Sequence, residues 1–386
     1  MISNIVNEVR TSVAANLRNI RGIKLCKKIV VFESDDWGSI RMPSKEVFDK
    51  LLREGIPVDR CPFNRVDSLA GRDDLEALFL VLSCFKDHRG NHPVITANSV
   101  MANPDFERIK ESGYNKYYYE PFKKTLERYP KLNRVFEMWE QGITERVFIP
   151  QFHGREHVNI NLWLNLLQSG HPAFIKAFEH QMWGLGTNLV DSGFINIQSS
   201  FDASSYFEIP MQKEILHTGL KMFKETFGFE SRSFIANNYT WSSELNETLL
   251  SGGVRYIQGM KYQLFPLFEQ KKHVHVRHFT GERNVNDQIH IIRNTLFEPS
   301  IHSYAPDCVD RCLKDIAVSF MWKRPAVISL HRLNFVGQIV EENRKKSLVL
   351  FKELLRKILA HWPDVEFMTT VELGNFIDKK QKTQSG

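Results

Sequence analysis

The chain has 386 residues, of which 42% are hydrophobic and 25% charged, proportions typical of a globular protein with a sizeable core. Its net charge of +6 is spread over 51 basic and 45 acidic residues without a basic arm or stripe, so nucleic-acid binding is not indicated. No window approaches the ~20 consecutive apolar residues of a membrane span.

The cysteines and the N-terminus bear on the cellular compartment. Five cysteines, an odd number without a C-x-x-C pair, argue against a disulfide framework and for reduced thiols. The first 24 residues mix Asn, Glu and Arg with isolated apolar residues and lack the apolar core of a signal peptide. We therefore expect a cytoplasmic protein, with residues 1–24 forming an N-terminal helical segment packed on the domain.

Apolar runs and helical periodicity alternate along most of the chain. Strands are predicted at 28–33, 94–97, 147–149, 233–235, 256–257, 289–292, 326–330 and 365–368. Helices are predicted at 44–54, 75–85, 159–167, 307–321 and 341–361. This alternation, without linkers or repeats, predicts one mainly parallel α/β sheet or barrel over 25–378, with a helical insertion at about 40–145 and a flexible tail at 379–386.

Polar clusters follow three of the predicted strands, where parallel barrels place their active sites. The first is the pair Asp35 and Asp36, in which either the like charges raise one pKa or a metal binds one carboxylate and leaves the other as a base. The second is His153 and His157, whose spacing puts both imidazoles on one face of a helical turn, within reach of one metal. The third is His331, placed for acid–base chemistry.

Each cluster alone has an ordinary structural explanation: a surface turn, two unrelated surface histidines, or a hydrogen-bonded histidine at the rim of the core. Together they are more specific, because one Asp and two His supply three protein ligands and leave a coordination position open for water or substrate. The other Asp then remains as a base, and the late His as an acid.

The same clusters resemble the motifs of the polysaccharide deacetylase family, which includes chitin and peptidoglycan deacetylases. Segment 33–38 is similar to its T-F-D-D-G motif, 153–157 to its H-[ST]-x-x-H motif, 236–239 to a degenerate R-x-P-Y motif, and 329–331 to its late L-x-H motif. The resemblance spans about residues 28–375. It implies a distorted (β/α) barrel of about seven strands and a divalent metal, zinc in the first place, with Co2+, Ni2+ or Mn2+ as alternatives.

The resemblance also implies a role for each matching residue. Asp35 would be the general base and His331 the acid that protonates the departing amine, while the backbone N–H of Tyr239 would help to bind the oxyanion. The implied metal ligands are Asp36, His153 and His157. The products would be acetate and a free amino sugar.

The chain also departs from that pattern. Ala236 stands where the family has an Arg that holds the base, so another cation must do so, and Arg155 and Arg293 are candidates. Asn238 replaces a Pro, Trp37 is an additional residue in the first motif, and no Asp-Trp motif is found. The insertion indicates a reshaped pocket rather than an open groove for a long polymer.

Six residues are predicted to contact the substrate or the oxyanion: Trp37, Arg155, Tyr239, Arg293, Glu298 and Asn334. Two of them, Arg293 and Glu298, belong to the polar stretch 293–300 after a predicted strand, which a purely structural loop explains equally well. Asn334 follows His331 closely and would either orient it or touch the substrate.

The leading hypothesis is a metal-dependent hydrolase that removes an acetyl group from an N-acetylated sugar or a glycan-biosynthesis intermediate. A glycoside hydrolase on a related barrel, with Asp35 and Glu298 as its carboxylate pair, is an alternative. A degenerate deacetylase that binds glycan without catalysis is another. All three predict a carbohydrate partner, and the sequence leaves the sugar, the acyl group and the oligomeric state open.

Overall fold

The computed structural model describes residues 13–129, 132, 134–186, 189, 193–301 and 307–385. Thirteen strands lie in these ranges: β1 (Ile29–Trp37), β2 (Ile95–Ser99), β3 (Ala102–Pro104), β4 (Tyr119–Pro121), β5 (Phe148–Phe152), β6 (Ser233–Phe234), β7 (Tyr256–Gly259), β8 (Tyr262–Leu267), β9 (Lys272–Arg277), β10 (Ile289–Ile292), β11 (Thr295–Leu296), β12 (Ala326–His331) and β13 (Glu366–Phe367).

Helices connect and cover these strands. They are α1 (Lys45–Arg53), α2 (Pro62–Val66), α3 (Arg72–Ser83), α4 (Phe106–Glu111), α5 (Phe122–Arg128), α6 (Val135–Thr144), α7 (Ile160–Gln168), α8 (Pro172–Glu179), α9 (Ile209–Phe227), α10 (Asn246–Ser251), α11 (Cys308–Met321), α12 (Glu341–His361) and α13 (Thr370–Ser385). Short 3-10 turns are Val58–Arg60, Tyr206–Glu208, Asn237–Tyr239, Ser243–Leu245 and Arg332–Asn334.

The main sheet is parallel throughout and has the order β10-β7-β6-β5-β2-β1-β12-β11, with β13 paired to the start of β1. Its two end strands are parts of one segment, because only Arg293 and Asn294 separate β10 from β11. Three residue steps span at most ~11 Å, so the sheet curls until its ends meet. With β10 and β11 taken as one interrupted strand, seven strands form the wall, and the predicted distorted (β/α) barrel of about seven strands is confirmed.

The interior of the barrel is apolar at one end and polar at the other. In β1, Ile29 and Val31 pack in a small apolar cluster with Leu373 and Ile377 of α13. Side chains two apart on a strand share a face, so Glu33 and Asp35 continue the same row toward the carboxyl end of β1. The opposite face of β1 packs in the large core beneath the surrounding helices. The polar groups are thus gathered at the carboxyl ends of the strands.

The predicted insertion at about 40–145 contains β2, which pairs with both β1 and β5 in the middle of the sheet. Two helical connections therefore flank a central strand, in place of one inserted body. The helix α9 and the antiparallel hairpin β8–β9 were not predicted from the sequence. The hairpin lies beside the 3-10 turn at Asn237–Tyr239, through a bridge between Thr240 and Leu264.

Both ends of the described chain contain helix. Of the predicted helical segment 1–24, residues 1–12 lie outside the described ranges, and 13–19 are helical. In the tail predicted as flexible at 379–386, helix α13 continues as far as Ser385. Gln381 donates to the carbonyl of Gly281 at 2.7 Å, and Lys380 donates to the carbonyl of Lys24, so tertiary contacts stabilise these turns.

All five cysteines are free thiols, and two of them, Cys308 and Cys312, are buried on α11. None of the helices in the described ranges has the length and apolar run that a membrane span requires.

Candidate metal centre and active site

The end of β1 presents its two aspartates in different directions. The pairing with β2 shifts register between Ser34 and Trp37, and Asp36 has a left-handed backbone conformation with φ of 73°. A bulge of this kind turns a side chain out of the regular alternation of a strand, and such strained positions concentrate at functional sites. Asp35 stays in the interior row, directly beside His331 in the register of β1 and β12.

Asp36, His153 and His157 converge on one point. Oδ1 of Asp36 lies 3.0 Å from Nε2 of His157 and 3.5 Å from Nε2 of His153. One ligand atom from each of the three lies within 4.8 Å of the others, and all three side chains are buried. Burial opposes ionisation of Asp36, but contact with the two imidazoles outweighs it and holds the pKa of this carboxyl well below its usual range.

The two imidazoles reach this point from a loop. His153 directly follows β5, and helix α7 begins only at Ile160, so the expectation of a shared helical turn is wrong. Gly154, with φ of 110°, redirects the chain, and a Cβ on it would lie 3.2 Å from the carbonyl of Glu156. The four-residue spacing works here because the loop folds back, rather than because of helical periodicity.

Hydrogen bonds set the proton positions on the imidazoles. Nδ1 of His153 lies 2.9 Å from the carbonyl of Ile235, which can only accept, so Nδ1 carries the proton and the neutral tautomer has its lone pair on Nε2, which lies 3.2 Å from the amide nitrogen of Asn237. Burial lowers the pKa of His157 below its usual value, which favours a neutral ring there too. Nδ1 of His157 is buried without a hydrogen-bond partner among the described residues.

These three groups fit a divalent cation. In a tetrahedral zinc site, ligand bonds of 2.0–2.1 Å separate the ligand atoms by about 3.4 Å. The distances from Oδ1 of Asp36 to the two imidazole Nε2 atoms, 3.0 and 3.5 Å, bracket this value. One carboxylate with two neutral imidazoles is also a donor set suited to zinc, with room for a further ligand.

Asp35 is bound by the buried guanidinium of Arg293, which lies between β10 and β11. Both its oxygens accept from Arg293, each at 2.6 Å, and Nε of Arg293 donates to Glu33 at 2.7 Å. Burial alone would raise the pKa of Asp35, but Arg293 outweighs it and holds that pKa below its usual value. Of the two arginines predicted as candidates to hold Asp35, Arg293 is the one that contacts it. Arg293 does not line the cavity.

A chain of amides extends this network across the barrel. Asn98 of β2 donates to Oδ1 of Asp35 at 2.7 Å, and it exchanges hydrogen bonds with Gln258 of β7 at 2.8 and 3.0 Å. Gln258 in turn donates to Ser233 of β6 at 2.8 Å. Each member has its partner, so the network orients Asp35 rigidly.

His331 lies beside Asp35 at the end of the neighbouring strand β12. Its Nε2 lies 3.8 Å from Oδ2 of Asp35, and its Nδ1 is hydrogen-bonded to Glu298. Burial disfavours the charged ring, but the Glu298 carboxylate, with Asp35 and Asp36 beyond, outweighs it and raises the pKa of His331 to about 9. Asn334 donates to the second oxygen of Glu298 at 2.7 Å, so both residues position His331.

The site opens into a small polar cavity of about 60 Å³. The residues that line it are Asp35, Asp36, Arg41, Phe63, His153, His157, Gln198, Ala236, Asn238, Tyr239 and His331. Of the six predicted substrate or oxyanion residues, only Tyr239 is in this lining, and Glu298 and Asn334 lie behind His331.

Three expectations are corrected by the contacts. The indole of Trp37 is 1% exposed and packs against Trp139 and Phe148 in the core, because the register shift between Ser34 and Trp37 removes this residue from the interior row of Glu33 and Asp35. Arg155 forms an ion pair with the buried Glu156, away from the cavity. The backbone N–H of Tyr239, predicted to bind the oxyanion, donates to the carbonyl of Ala236 at 3.0 Å within a 3-10 turn.

Sequence reasoning missed several residues of the site. Arg41 and Phe63 lie in connections that carry no motif, and Gln198 lies in an irregular stretch. Arg41 had one available signal, since it follows Asp36 by five residues in the same loop. Nothing in the sequence marks Asn98 or Gln258, because an amide near a strand end is equally common in ordinary turns.

Comparisons with known proteins give structural likeness without sequence matches. No family model matches the sequence, and the search of curated proteins finds no match. Among solved structures, the 4-alpha-glucanotransferase of Thermococcus litoralis is 11% identical with a TM-score of 0.42, over 90% of this chain and 40% of that enzyme. The chain therefore spans less than half of the glucanotransferase.

Two other structures are similar over nearly their whole length. A Mycobacterium smegmatis protein described as a polysaccharide deacetylase is 10% identical, with a TM-score of 0.46, over 92% of this chain and 91% of that one. The allantoinase Puue is 10% identical, with a TM-score of 0.43, over 90% and 89%.

Proposed function

We propose that this protein is a metal-dependent deacetylase that hydrolyses the acetamide of an N-acetylated sugar. The observation that carries the proposal is the convergence of Asp36, His153 and His157 on one point, with Asp35 and His331 beside it. The three would hold a divalent cation, with zinc the best match to the donor set. Such an ion supplies Lewis-acid polarisation of the acyl carbonyl and activation of water.

Two residues, Asp35 and His331, carry out the proton transfers. Asp35, ionised and held by Arg293, accepts the proton of the attacking water. His331, whose pKa is raised to about 9, is protonated at neutral pH and donates to the leaving amine. The two groups are 3.8 Å apart, so a reacting amide lying over them contacts both.

The cavity supports a small acyl group. A volume of about 60 Å³ admits a few heavy atoms, which suits an acetyl or formyl group with the sugar ring toward the mouth. The five free thiols agree with a reducing compartment, and we place the reaction in the cytoplasm on a glycan-biosynthesis intermediate.

The glycoside hydrolase alternative is not favoured by the geometry. Glu298, its second carboxylate, is 2% exposed and lies behind His331, with one oxygen on that ring and the other on Asn334. A general acid of a glycosidase must reach the leaving oxygen of its substrate, and Glu298 does not line the cavity.

The proposal is tested by metal content and acetate release. Purified wild-type protein is expected to retain about one zinc per chain and to release acetate from at least one N-acetylated sugar. Asp36→Ala removes a ligand, so we expect metal content and turnover to fall at least ~100-fold, a conservative bound since changes in supporting residues alone cost 10- to 100-fold. Asp59→Ala, at an exposed position, is the matched control.

Two results would count against this function. The first is a wild-type protein that binds no divalent metal. The second is acetate release that persists in Asp36→Ala at the control rate. Metal binding without turnover on any N-acetylated sugar would support the non-catalytic, glycan-binding alternative instead.

A further inference from the structure

Arg41 is a buried cation in the cavity wall that the proposed proton transfers do not use. It is 4% exposed, and it lines the same cavity as Asp36 and His331. Its Nε donates to Oδ1 of Asn64 at 3.2 Å, and its Nη2 donates to Oε1 of Gln198 at 2.8 Å. Both acceptors are neutral amides. The third nitrogen, Nη1, makes no hydrogen bond to the described residues.

Arg41 forms no ion pair in the described part of the chain. Burial raises the pKa of Asp67 against the attraction of Arg332 and Arg41, but it is Arg332 that binds the Asp67 carboxylate directly. The guanidinium of Arg41 instead lies over the rings of Phe63 and Trp183, 5.3 Å from each ring centre. The other buried guanidiniums near the site are paired, Arg293 with Asp35 and Arg332 with Asp67. Burying a charge without a partner is unfavourable, and aromatic faces offset only part of that cost.

The side chain of Arg41 packs in the space left by the missing side chain of Gly184. A Cβ added at Gly184 would lie 2.9 Å from Cδ and 3.0 Å from Nε of Arg41. Trp183, the residue before Gly184, donates from its indole to the carbonyl of Ile40 at 2.7 Å, which fixes the ring beneath the guanidinium. The cation is therefore held in a defined position, as an anion-binding arginine requires.

We infer that Arg41 binds an anionic oxygen group, a carboxylate or a phosphate, carried by the substrate. This inference rests on the proposed deacetylation and specifies its substrate class as an acidic N-acetylated sugar. The ring of Phe63 lies 5.2 Å from the ring of His331 and 5.3 Å from the guanidinium of Arg41. A single aromatic ring therefore separates His331, the proposed acid, from Arg41. The anionic group accordingly belongs to the same sugar residue as the acetamide.

Binding is measured in the metal-free, full-length protein, so that no turnover interferes. The probes are the methyl glycoside of N-acetylglucosamine, its 6-carboxylate and its 6-phosphate, each titrated by calorimetry. A charge-assisted hydrogen bond favours binding by ~1.5–3 kcal/mol, so we expect one or both acidic sugars to bind about 10- to 100-fold more tightly than the neutral one. The relative affinities of the carboxylate and the phosphate then identify the anionic group.

Two variants and one control isolate the arginine. Arg41→Gln removes the charge, and Gly184→Ala displaces the guanidinium while keeping it in the chain. In both variants we expect the affinity for the acidic sugar to be within about threefold of the affinity for the neutral sugar. Arg53→Gln removes one positive charge at an exposed position and is expected to leave the preference unchanged. The same ratios are then measured for acetate release by the zinc-loaded protein.

The outcomes separate this inference from the function on which it rests. Equal affinity of the wild type for the neutral and acidic sugars would overturn the inference, as would a preference that survives in Arg41→Gln. Acetate release from the neutral sugar alone would overturn the inference and leave the deacetylase standing. Arg41-dependent binding of an acidic sugar without acetate release from any probe would leave the anion site standing and overturn the deacetylase.

Discussion

Arg293 reaches Asp35 across 258 residues of sequence and binds both of its oxygens. The same guanidinium donates to Glu33, so two buried carboxylates depend on one cation. Breaking such an arrangement leaves uncompensated charge in the interior, which costs far more than the intact network contributes. At the scale of single residues, the proposed catalytic base is thus coupled to the stability of the barrel.

Replacement of Arg293 tests this coupling. We expect Arg293→Met to lower the free energy of unfolding by ~3–5 kcal/mol, because Asp35 and Glu33 both lose their cation. Arg293→Lys keeps the charge but loses the bidentate geometry, and should recover part of this loss. Urea denaturation measures both variants. Equal stability of Arg293→Met and wild type would contradict the buried network.

His331 offers a titration that does not depend on turnover. Its pKa is raised to about 9 by Glu298 against the effect of burial, so Glu298→Gln should move the titration to lower pH by roughly one unit or more. Because the folded pKa exceeds the ordinary 6.5, protonated His331 stabilises the fold below pH 6.5, and this stabilisation is lost as pH rises through about 9.

NMR of the imidazole in the metal-free protein follows this titration directly. Glu244→Gln, an exposed position, is the control and should leave the midpoint unchanged. An unchanged midpoint in Glu298→Gln would show that Glu298 does not hold the proton on His331.

At the scale of elements, helix α9 packs tightly beneath the strand that leads to His153. Gly219 of α9 faces that strand, and a Cβ there would lie 2.8 Å from the ring of Phe152 and 3.0 Å from Cβ of Arg155. The phenyl ring is rigid and 0% exposed, so it cannot move aside into solvent. A glycine in the middle of a helix is therefore explained by close packing rather than by flexibility.

Gly219→Ala sets two effects of opposite sign against each other. Helix propensity favours alanine by ~1 kcal/mol, whereas overpacking a filled core costs ~1–3 kcal/mol. We expect a net loss of stability of up to ~2 kcal/mol, seen as a lower thermal midpoint. Lys221→Ala, exposed on the same helix, should change stability by less than ~0.5 kcal/mol. A higher thermal midpoint in Gly219→Ala than in the wild type would show that the ring of Phe152 can move to accommodate the added methyl group.

At the scale of the whole molecule, the barrel is closed by the interrupted strand β10–β11. β10 pairs with β7 and β11 pairs with β12, and Arg293, which holds Asp35, lies between them. His290 of β10 stacks on His278 with ring centres 3.9 Å apart. Burial, with a small contribution from His278, lowers the pKa of His290 to about 3. The closing strand therefore contains a buried imidazole whose protonation costs stability.

This buried histidine predicts acid sensitivity. The unfolded chain binds a proton at His290 below about pH 6.5, whereas the folded chain does so only near pH 3. Stability should therefore fall as pH decreases between these values, with a slope of up to ~1.4 kcal/mol per pH unit from this group. Chemical denaturation at several pH values measures the slope, and His290→Gln should reduce it. The same slope in both proteins would assign the acid sensitivity to other groups.

The alternation of apolar strands with helices was readable from the sequence, because buried parallel strands are short apolar runs and their flanking helices have a 3.6-residue period. The gathering of the three polar clusters at one rim also followed, since parallel strands of one barrel end at the same rim. Helix α9 was missed because its buried apolar face is interrupted by Gln212 and Gly219.

The sequence by itself determined the residue types of the site and the rim of the barrel at which they gather. Only the tertiary structure decided which cation holds Asp35, that Trp37 belongs to the core, and that Arg41 faces the cavity. Bulges, loop reversals and the closure of the sheet set these directions. They depend on contacts between residues far apart in the chain, for which local periodicity carries no signal.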